Sequence, residues 1–262
     1  MIDAKRISEI RKQFPILQTH VRGYPLVYFD NASTTQKPLS VIESISEYYK
    51  CYNANTGRGI YSLSSRSSEI LENSRKKVAK FINASESEVV FSGGVTDGIN
   101  MVARSFIAGQ LSAGNKIMCT QMDHHSNILP WNNLCKEKGA ELIAAPITPE
   151  GDIDIEWIEK TLKSGGVKLL VLPHISNSIG TINDIRTVCS IARKYGVLTL
   201  VDAAQSSGEM TIDVKEAFCD FLVFSSHKMY GPMGVGVVYA RHEHVSKAIP
   251  FRYGGGIVSS VS

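Results

Sequence analysis

The sequence predicts an α/β protein built on a mostly parallel sheet of seven strands lying between helices. Three observations carry this. Short runs recur along the chain that are apolar throughout instead of alternating, as strands buried on both faces are. Stretches with helical spacing separate those runs over most of the length. The chain, at 262 residues, is long enough for one large core.

In chain order, residues 1–12 form a charged, helix-like stretch with no apolar h-region, which excludes a secretory signal. Residues 40–50 and 65–82 read as longer helices. The strands are expected at 88–91, 116–120, 141–145, 168–172, 197–202, 220–224 and 236–240. Helices fill 97–108, 127–138, 155–163 and 184–195. A glycine-rich loop with no helix joins the last two strands, so one of them is expected to run antiparallel. Internal repeats, low-complexity segments and flexible linkers are absent from the sequence.

Composition narrows the function classes. Hydrophobic content of 43% and charged content of 20% are ordinary for a globular protein. A formal charge of +3, spread without blocks of like charge, makes no case for nucleic acid or an anionic membrane. No apolar stretch reaches the ~20 residues that span a bilayer. Five cysteines (Cys51, Cys119, Cys135, Cys189 and Cys219) are widely spaced, odd in number and without C-x-x-C. They read as reduced thiols of a cytoplasmic protein, with no zinc site and no disulfide framework.

In open sheets, ligands sit beyond the carboxyl ends of the strands, so the polar residues that end the apolar runs are the place to look. Phe221, Leu222, Val223 and Phe224 break into Ser225, Ser226, His227 and Lys228. A lysine directly after a buried strand is desolvated, which lowers its pKa and frees the nucleophilic amine. The run 197–202 ends as abruptly in Asp202. A buried carboxylate needs a partner, because an unpaired one takes up a proton. An amine and an acid at neighbouring strand ends suit pyridoxal 5'-phosphate (PLP): the lysine forms the Schiff base and the acid keeps the pyridinium protonated.

Other segments carry weaker signals alone. Gly93 and Gly94 make a strand-to-helix turn whose N–H groups face outward at a helix start, a ready phosphate site to which the Thr96 hydroxyl could add; an ordinary helix N-cap is the bland alternative. No G-K-[ST] follows, so it is not a Walker loop. His124 or His125 could lie against a planar cofactor, or simply be polar residues at a helix start; adjacent histidines rarely ligate one ion. Asn177, in a polar loop, could bond a substrate carboxylate or a ring oxygen, although loop asparagines are commonly turn formers. Ser225 and His227 flank Lys228 and can donate to phosphate. The G-P-M-G-V-G run at 231–236 precedes a strand, so it is not a dinucleotide fingerprint, and His242-Glu243-His244 falls short of H-E-x-x-H. Asn31-Ala-Ser and Asn83-Ala-Ser fit the glycosylation pattern, with nothing to suggest secretion.

Assembled in order, the segments Y-F-D-N-A-S-T-T-Q-K-P (28–38), R-G-I-Y-S-L-S (58–64), T-D-G-I-N-M-V-A (96–103), M-D-H-H-S-N-I-L-P-W (122–131), I-S-N-S-I-G (175–180), D-A-A-Q-S (202–206) and S-S-H-K-M-Y-G-P-M-G-V-G (225–236) resemble the class V aminotransferase superfamily of fold-type-I PLP enzymes. Within it, the similarity is to the group II cysteine desulfurases and selenocysteine lyases, the type serving SUF iron–sulfur cluster assembly. It spans essentially the whole chain. The resemblance implies that Lys228 carries the cofactor, Asp202 pairs with the pyridine nitrogen and Gln205 bonds the phenolic oxygen. His124 would stack on the ring and act in catalysis. Thr96, Ser225 and His227 would hold the phosphate, and Ala32 (by its backbone) and Asn177 would meet the substrate carboxylate.

The implied reaction converts L-cysteine, or L-selenocysteine, to L-alanine and leaves the sulfur on an enzyme cysteine as a persulfide for an acceptor protein. A homodimer is implied as well. Residues 1–35 would be an N-terminal segment that packs with a small domain, and 36–262 the PLP-binding large domain. By the same resemblance, the small domain, the persulfide cysteine, a substrate-clamping arginine and a phosphate contact given across the dimer fall in a region the family carries beyond Ser262. None of the five cysteines matches the persulfide position. Gly57 and Tyr61 replace two usual histidines, Val95 a usual threonine and Ser226 a usual glycine. The Gly57 and Tyr61 changes keep open another class V activity (aminotransferase, epimerase or C–S lyase), and the family region beyond Ser262 keeps open a non-catalytic PLP-binding fragment.

Overall fold

The computed structural model describes residues 3–57 and 59–254. Arg58 and the end of the Y-G-G-G-I-V-S-S-V-S segment lie outside them. The chain begins with helix α1 (Ala4–Lys12), capped by Asp3, whose carboxylate accepts the Arg6 N–H. A two-stranded hairpin of β1 (His20–Val21) and β2 (Tyr24–Pro25) follows. Helices α2 (Leu39–Cys51) and α3 (Ser62–Phe81) come next. The remaining elements are β3 (Val89–Ser92), α4 (Val95–Val102), β4 (Lys116–Thr120), α5 (Leu129–Lys138), β5 (Glu141–Ala145), α6 (Ile155–Lys163), β6 (Val167–Pro173), α7 (Ile185–Lys194), β7 (Leu198–Asp202), α8 (Val214–Ala217), β8 (Phe221–Ser225), β9 (Gly236–Ala240) and α9 (His242–Val245).

Seven of the strands form one sheet in the order β3-β9-β8-β7-β6-β4-β5. β4, β5, β6, β7 and β8 pair in parallel, each preceded by a helix that carries the chain back across the sheet. β9 is antiparallel to both of its neighbours, β3 and β8. The connection between β8 and β9 is too short for a crossover helix, so the chain turns back instead. The mostly parallel seven-stranded sheet between helices is therefore the fold observed.

Successive strand residues feed two separate cores, because side chains alternate across a sheet. Met118, Leu170, Leu172, Val201, Leu222 and Phe224 enter one core. Ile117, Leu169, Val171, Leu200, Phe221 and Val223 enter the other. This is why the strands read as unbroken apolar runs. Burying one such aliphatic side chain contributes about 1.5–3 kcal/mol.

Element ends differ from the sequence reading for local reasons. Glu88 belongs to a capping box with Ser85, so the first large strand starts at Val89. The helix expected at 97–108 starts at Val95 and widens into a π turn at Ala103–Ile107, where the Ala108 N–H reaches the Ala103 carbonyl at 2.9 Å. The helix expected at 127–138 is a 3-10 turn at His125–Asn127 followed by α5, with Pro130 in its first turn. Asp220 is not a strand residue; it anchors the opposite end of the sheet from the site. Its carboxylate accepts the Thr199 N–H (2.8 Å) and hydroxyl (3.1 Å), lies 3.0 Å from His244 Nε2 and pairs with Arg241 at 3.3 Å. With Glu243 this cluster has the donors of a metal site, but the Arg241 guanidinium already pairs with both carboxylates.

Candidate active site

The carboxyl ends of β6, β7 and β8 and the turn after β3 open into a cavity of ≈ 1150 Å³. Its lining includes Ala32, Thr96, His124, Asn177, Asp202, Gln205, Ser225, His227 and Lys228, so the fold brings all nine sequence-nominated residues to one place. They come from six separate segments, united because the parallel strands end on the same edge of the sheet.

One end of the cavity is shaped for an anion. Gly94 has φ +140°, a conformation that side-chain-bearing residues rarely adopt, and it turns the chain from β3 into α4. Gly236 faces it on β9, where an added Cβ would stand 2.6 Å from the Gly94 Cα. The glycine pair thus lets the turn sit against the sheet. The positive end of α4 faces the cavity. The Ser225 hydroxyl accepts the Val95 N–H at 2.8 Å, which leaves its own proton for a ligand. Thr96 is exposed at the same lip.

Asp202, 6% exposed at the end of β7, lines the same cavity. One carboxylate oxygen accepts the Ala204 N–H at 2.9 Å, and the other has no hydrogen-bond partner among the described residues. Burial pushes its pKa up, opposed by that N–H and then by the Lys228 and His124 charges. Lys228 follows β8 on a 3-10 turn, Ser226–Lys228, and is half-buried. Burial lowers its pKa, and the Asp202 carboxylate opposes the shift. His227 is lowered too, by burial first and then by Lys228 and Lys37.

His124 caps the turn after β4: its Nδ1 accepts the Ser126 N–H at 3.2 Å and lies 2.7 Å from the Ser126 Oγ. With Nδ1 held by Ser126 in this way, Nε2 is the ring nitrogen left for a ligand. The turn is fixed from beneath by buried Asp123, which accepts from Thr120 N (2.7 Å), Thr120 Oγ1 (2.8 Å) and Asn127 Nδ2 (2.7 Å). Burial pushes the Asp123 carboxyl up to about 7. His125 does not stack on its neighbour; the two rings are 6.1 Å apart and tilted by 47°. Gln205 donates to the Ala32 carbonyl at 2.8 Å, tying the N-terminal segment to the rim. Asn177 sits on the loop between Ile175 and Ile182, which pair as an antiparallel bridge.

Several contributors had no role assigned from sequence. Thr34, Thr35 and Lys37 reach the His227 carbonyl from across the chain, although they stand inside the quoted T-T-Q-K segment. Asp97 and Arg252 pair at 2.5 Å on the rim, 155 residues apart, and no local pattern announces such a pair. None of the five cysteines lines the cavity. Four are buried, and burial pushes the thiols of Cys119 and Cys189 up to about 12; Cys51 is exposed at the end of α2.

The donor set fits a planar, phosphorylated aldehyde with a basic ring nitrogen. A helix N-terminus, Asp202 with its second oxygen without a partner among the described residues, and a desolvated amine line one cavity. A cation at that free oxygen would reverse the cost of burying the acid.

Comparison with known proteins places this geometry. The profile of the family described as aminotransferase class-V matches residues 27–262. A probable cysteine desulfurase of Halalkalibacterium halodurans is 44% identical over 254 residues, 97% of this chain and 62% of that protein. A cysteine desulfurase of Salmonella gallinarum is 42% identical over 257 residues, covering 98% and 63%. The apo cysteine desulfurase of Thermococcus onnurineus superposes with a TM-score of 0.91 at 37% identity, covering all of this chain and 64% of that one. The cysteine desulfurase CsdA of Escherichia coli gives 0.87 at 31%, covering 97% and 63%. The chain thus spans a little over three-fifths of the length of these relatives, and its fold, its cavity and its match across residues 27–262 show that it belongs to the class V aminotransferase family.

Proposed function

We propose that this chain is the PLP-binding part of a cysteine desulfurase acting on L-cysteine. The observation that carries the reading is the single cavity in which a desolvated lysine faces a buried, half-satisfied aspartate, with a helix N-terminus at the phosphate end. The identities to cysteine desulfurases over 97–98% of the chain support the substrate. Thr96, Ser225 and His227 would hold the phosphate, Asp202 the ring nitrogen, Gln205 the phenolic oxygen and Lys228 the aldehyde carbon. PLP bound there supplies an electron sink for the substrate's α carbon. His124 would cover the ring, and Ala32 and Asn177 would orient the substrate carboxylate. Lys228 would be the base of depressed pKa that moves the α proton.

In the overall balance, the Cβ–S bond of cysteine breaks, a thiolate takes the sulfur as a persulfide, and the thiol proton replaces sulfur in alanine. None of this chain's cysteines lines the cavity, so the acceptor thiol belongs to another segment or another chain. The sulfur would serve iron–sulfur cluster assembly in the cytoplasm through an acceptor protein. L-selenocysteine is a second substrate of the same chemistry. Residues 1–35 form a segment for a small domain to pack on, supported by the apolar groove of Phe14, Leu17, Leu26 and Val27. A homodimer is part of the reading, supported by the exposed stripe Leu39, Ile42, Ile45 and Tyr49 on α2.

Incubation with PLP should give a yellow protein in which borohydride fixes the cofactor on Lys228, and Lys228→Ala should stay colourless. Adduct formed elsewhere in Lys228→Ala would overturn the assignment. The full-length protein should release alanine from L-cysteine; release of pyruvate and ammonia would instead make it a C–S lyase.

A further inference from the structure

The carbonyl oxygen of His227, the residue just before Lys228, receives four donors, all from one N-terminal segment. Thr35 N lies at 2.9 Å, Thr34 Oγ1 and Thr35 Oγ1 each at 3.0 Å, and Lys37 Nζ at 2.9 Å. A carbonyl has two lone pairs, so two donors satisfy it. Thr35 also holds the far side of the lysine, because its hydroxyl accepts the Tyr230 N–H at 2.8 Å. Lys228 is therefore bracketed on both sides by a residue 193 positions away and 4% exposed. Lys37 is partly buried, and its ammonium is spent on backbone: it also donates to the Thr35 carbonyl and lies 3.4 Å from Thr34 Oγ1. No carboxylate pairs with it among the described residues.

We propose that Lys37, with Thr34 and Thr35, is a positioning residue for Lys228: it clamps the His227–Lys228 peptide and aims the amine into the cavity. This rests on the reading of Lys228 as the cofactor lysine. Merely anchoring the N-terminal segment would not require an ammonium at this carbonyl, since the Thr35 N–H and a threonine hydroxyl already satisfy it. The charge does two further things. An ion–dipole contact restrains the peptide more strongly than a neutral hydrogen bond. A cation beside His227 disfavours imidazolium. The charged and titratable groups grouped here are Lys37, Lys228 and His227 itself, with Asp202 and His124 facing Lys228.

The test compares the wild-type chain with Lys37→Met, Lys37→Gln and Lys37→Arg. One readout is the rate at which PLP becomes borohydride-fixed on Lys228, followed by peptide mass spectrometry. The other is the midpoint of the His227 imidazole titration by NMR, which needs no cofactor. In the two neutral variants the rate should fall on the order of tenfold, as expected when a reacting group is left poorly aimed. The His227 midpoint should rise in both, and Arg should restore most of both properties. Wild-type values in the neutral variants overturn the proposal. So does a rate loss without a His227 shift, or loss of folding in both neutral variants, since either makes Lys37 a structural anchor. If wild type forms no adduct at Lys228, the cofactor reading fails by itself, whereas the His227 titration still reports on the clamp.

Discussion

Lys228 and Asp202 act on each other in opposite senses, and that makes their roles separable. Burial favours the neutral amine, while the Asp202 carboxylate favours the ammonium. Removing the negative charge should therefore push the amine's pKa further down. In Asp202→Asn, modification of Lys228 by formaldehyde and borohydride, measured without cofactor, should reach half its maximal rate at a lower pH than in wild type. A midpoint that rises would mean that Asp202 does not sense the amine. The same variant should hold PLP less firmly, because a neutral amide cannot pair with a pyridinium. Both residues were legible in the sequence, because each ends an apolar run with a group that cannot stay buried alone. Thr35, Lys37 and Asp123 were not. Their partners are a backbone carbonyl from the other end of the chain and a buried hydrogen-bond network, which leave no local pattern of residue types.

The strands themselves were legible as unbroken apolar runs, since burial on both faces leaves no polar alternation. Their ends were less so: Glu88 and Asp220 read as strand starts, but each is drawn out of the ladder by side-chain bonds of its own. Asp220 shows what such an end contributes. It holds β7, β8 and the chain after β9 together through Thr199, Arg241 and His244. Despite burial, these partners lower its pKa. A carboxylate with a depressed folded pKa adds stability above its unfolded pKa and loses it as pH falls through the folded value. Asp220→Ala should thus cost about 3 kcal/mol at neutral pH. Measured by urea unfolding, its deficit relative to wild type should shrink as pH falls below the ordinary aspartate range. A deficit that stays constant with pH would mean that the cluster acts by packing alone.

At the scale of the whole molecule, apolar side chains stand on the surface in ordered groups. On α2, Leu39, Ile42, Ile45 and Tyr49 recur at helical spacing, and Tyr49 is 69% exposed. A stripe of this kind, in a chain with its own filled core, suits the proposed self-association. Ile42→Glu together with Ile45→Glu should lower the sedimentation coefficient to that of a monomer without lowering the thermal midpoint, because neither residue is buried in the fold. A variant that remains associated would move the interface elsewhere.

The place of β9 in the sheet sets a timetable. Among the described residues β3 has no strand neighbour except β9, and Ser92 pairs with Gly236, 144 residues later in the chain. At roughly 5–20 residues per second, a ribosome that has finished β3 needs on the order of ten to thirty seconds more to supply its only partner. Throughout that interval the five parallel strands can assemble in turn, while β3 and the Gly94 turn wait unpaired. The anion cup consequently closes only after Lys228 has been made, and a nascent chain stopped short of Gly236 would have the lysine and no cup to set it against.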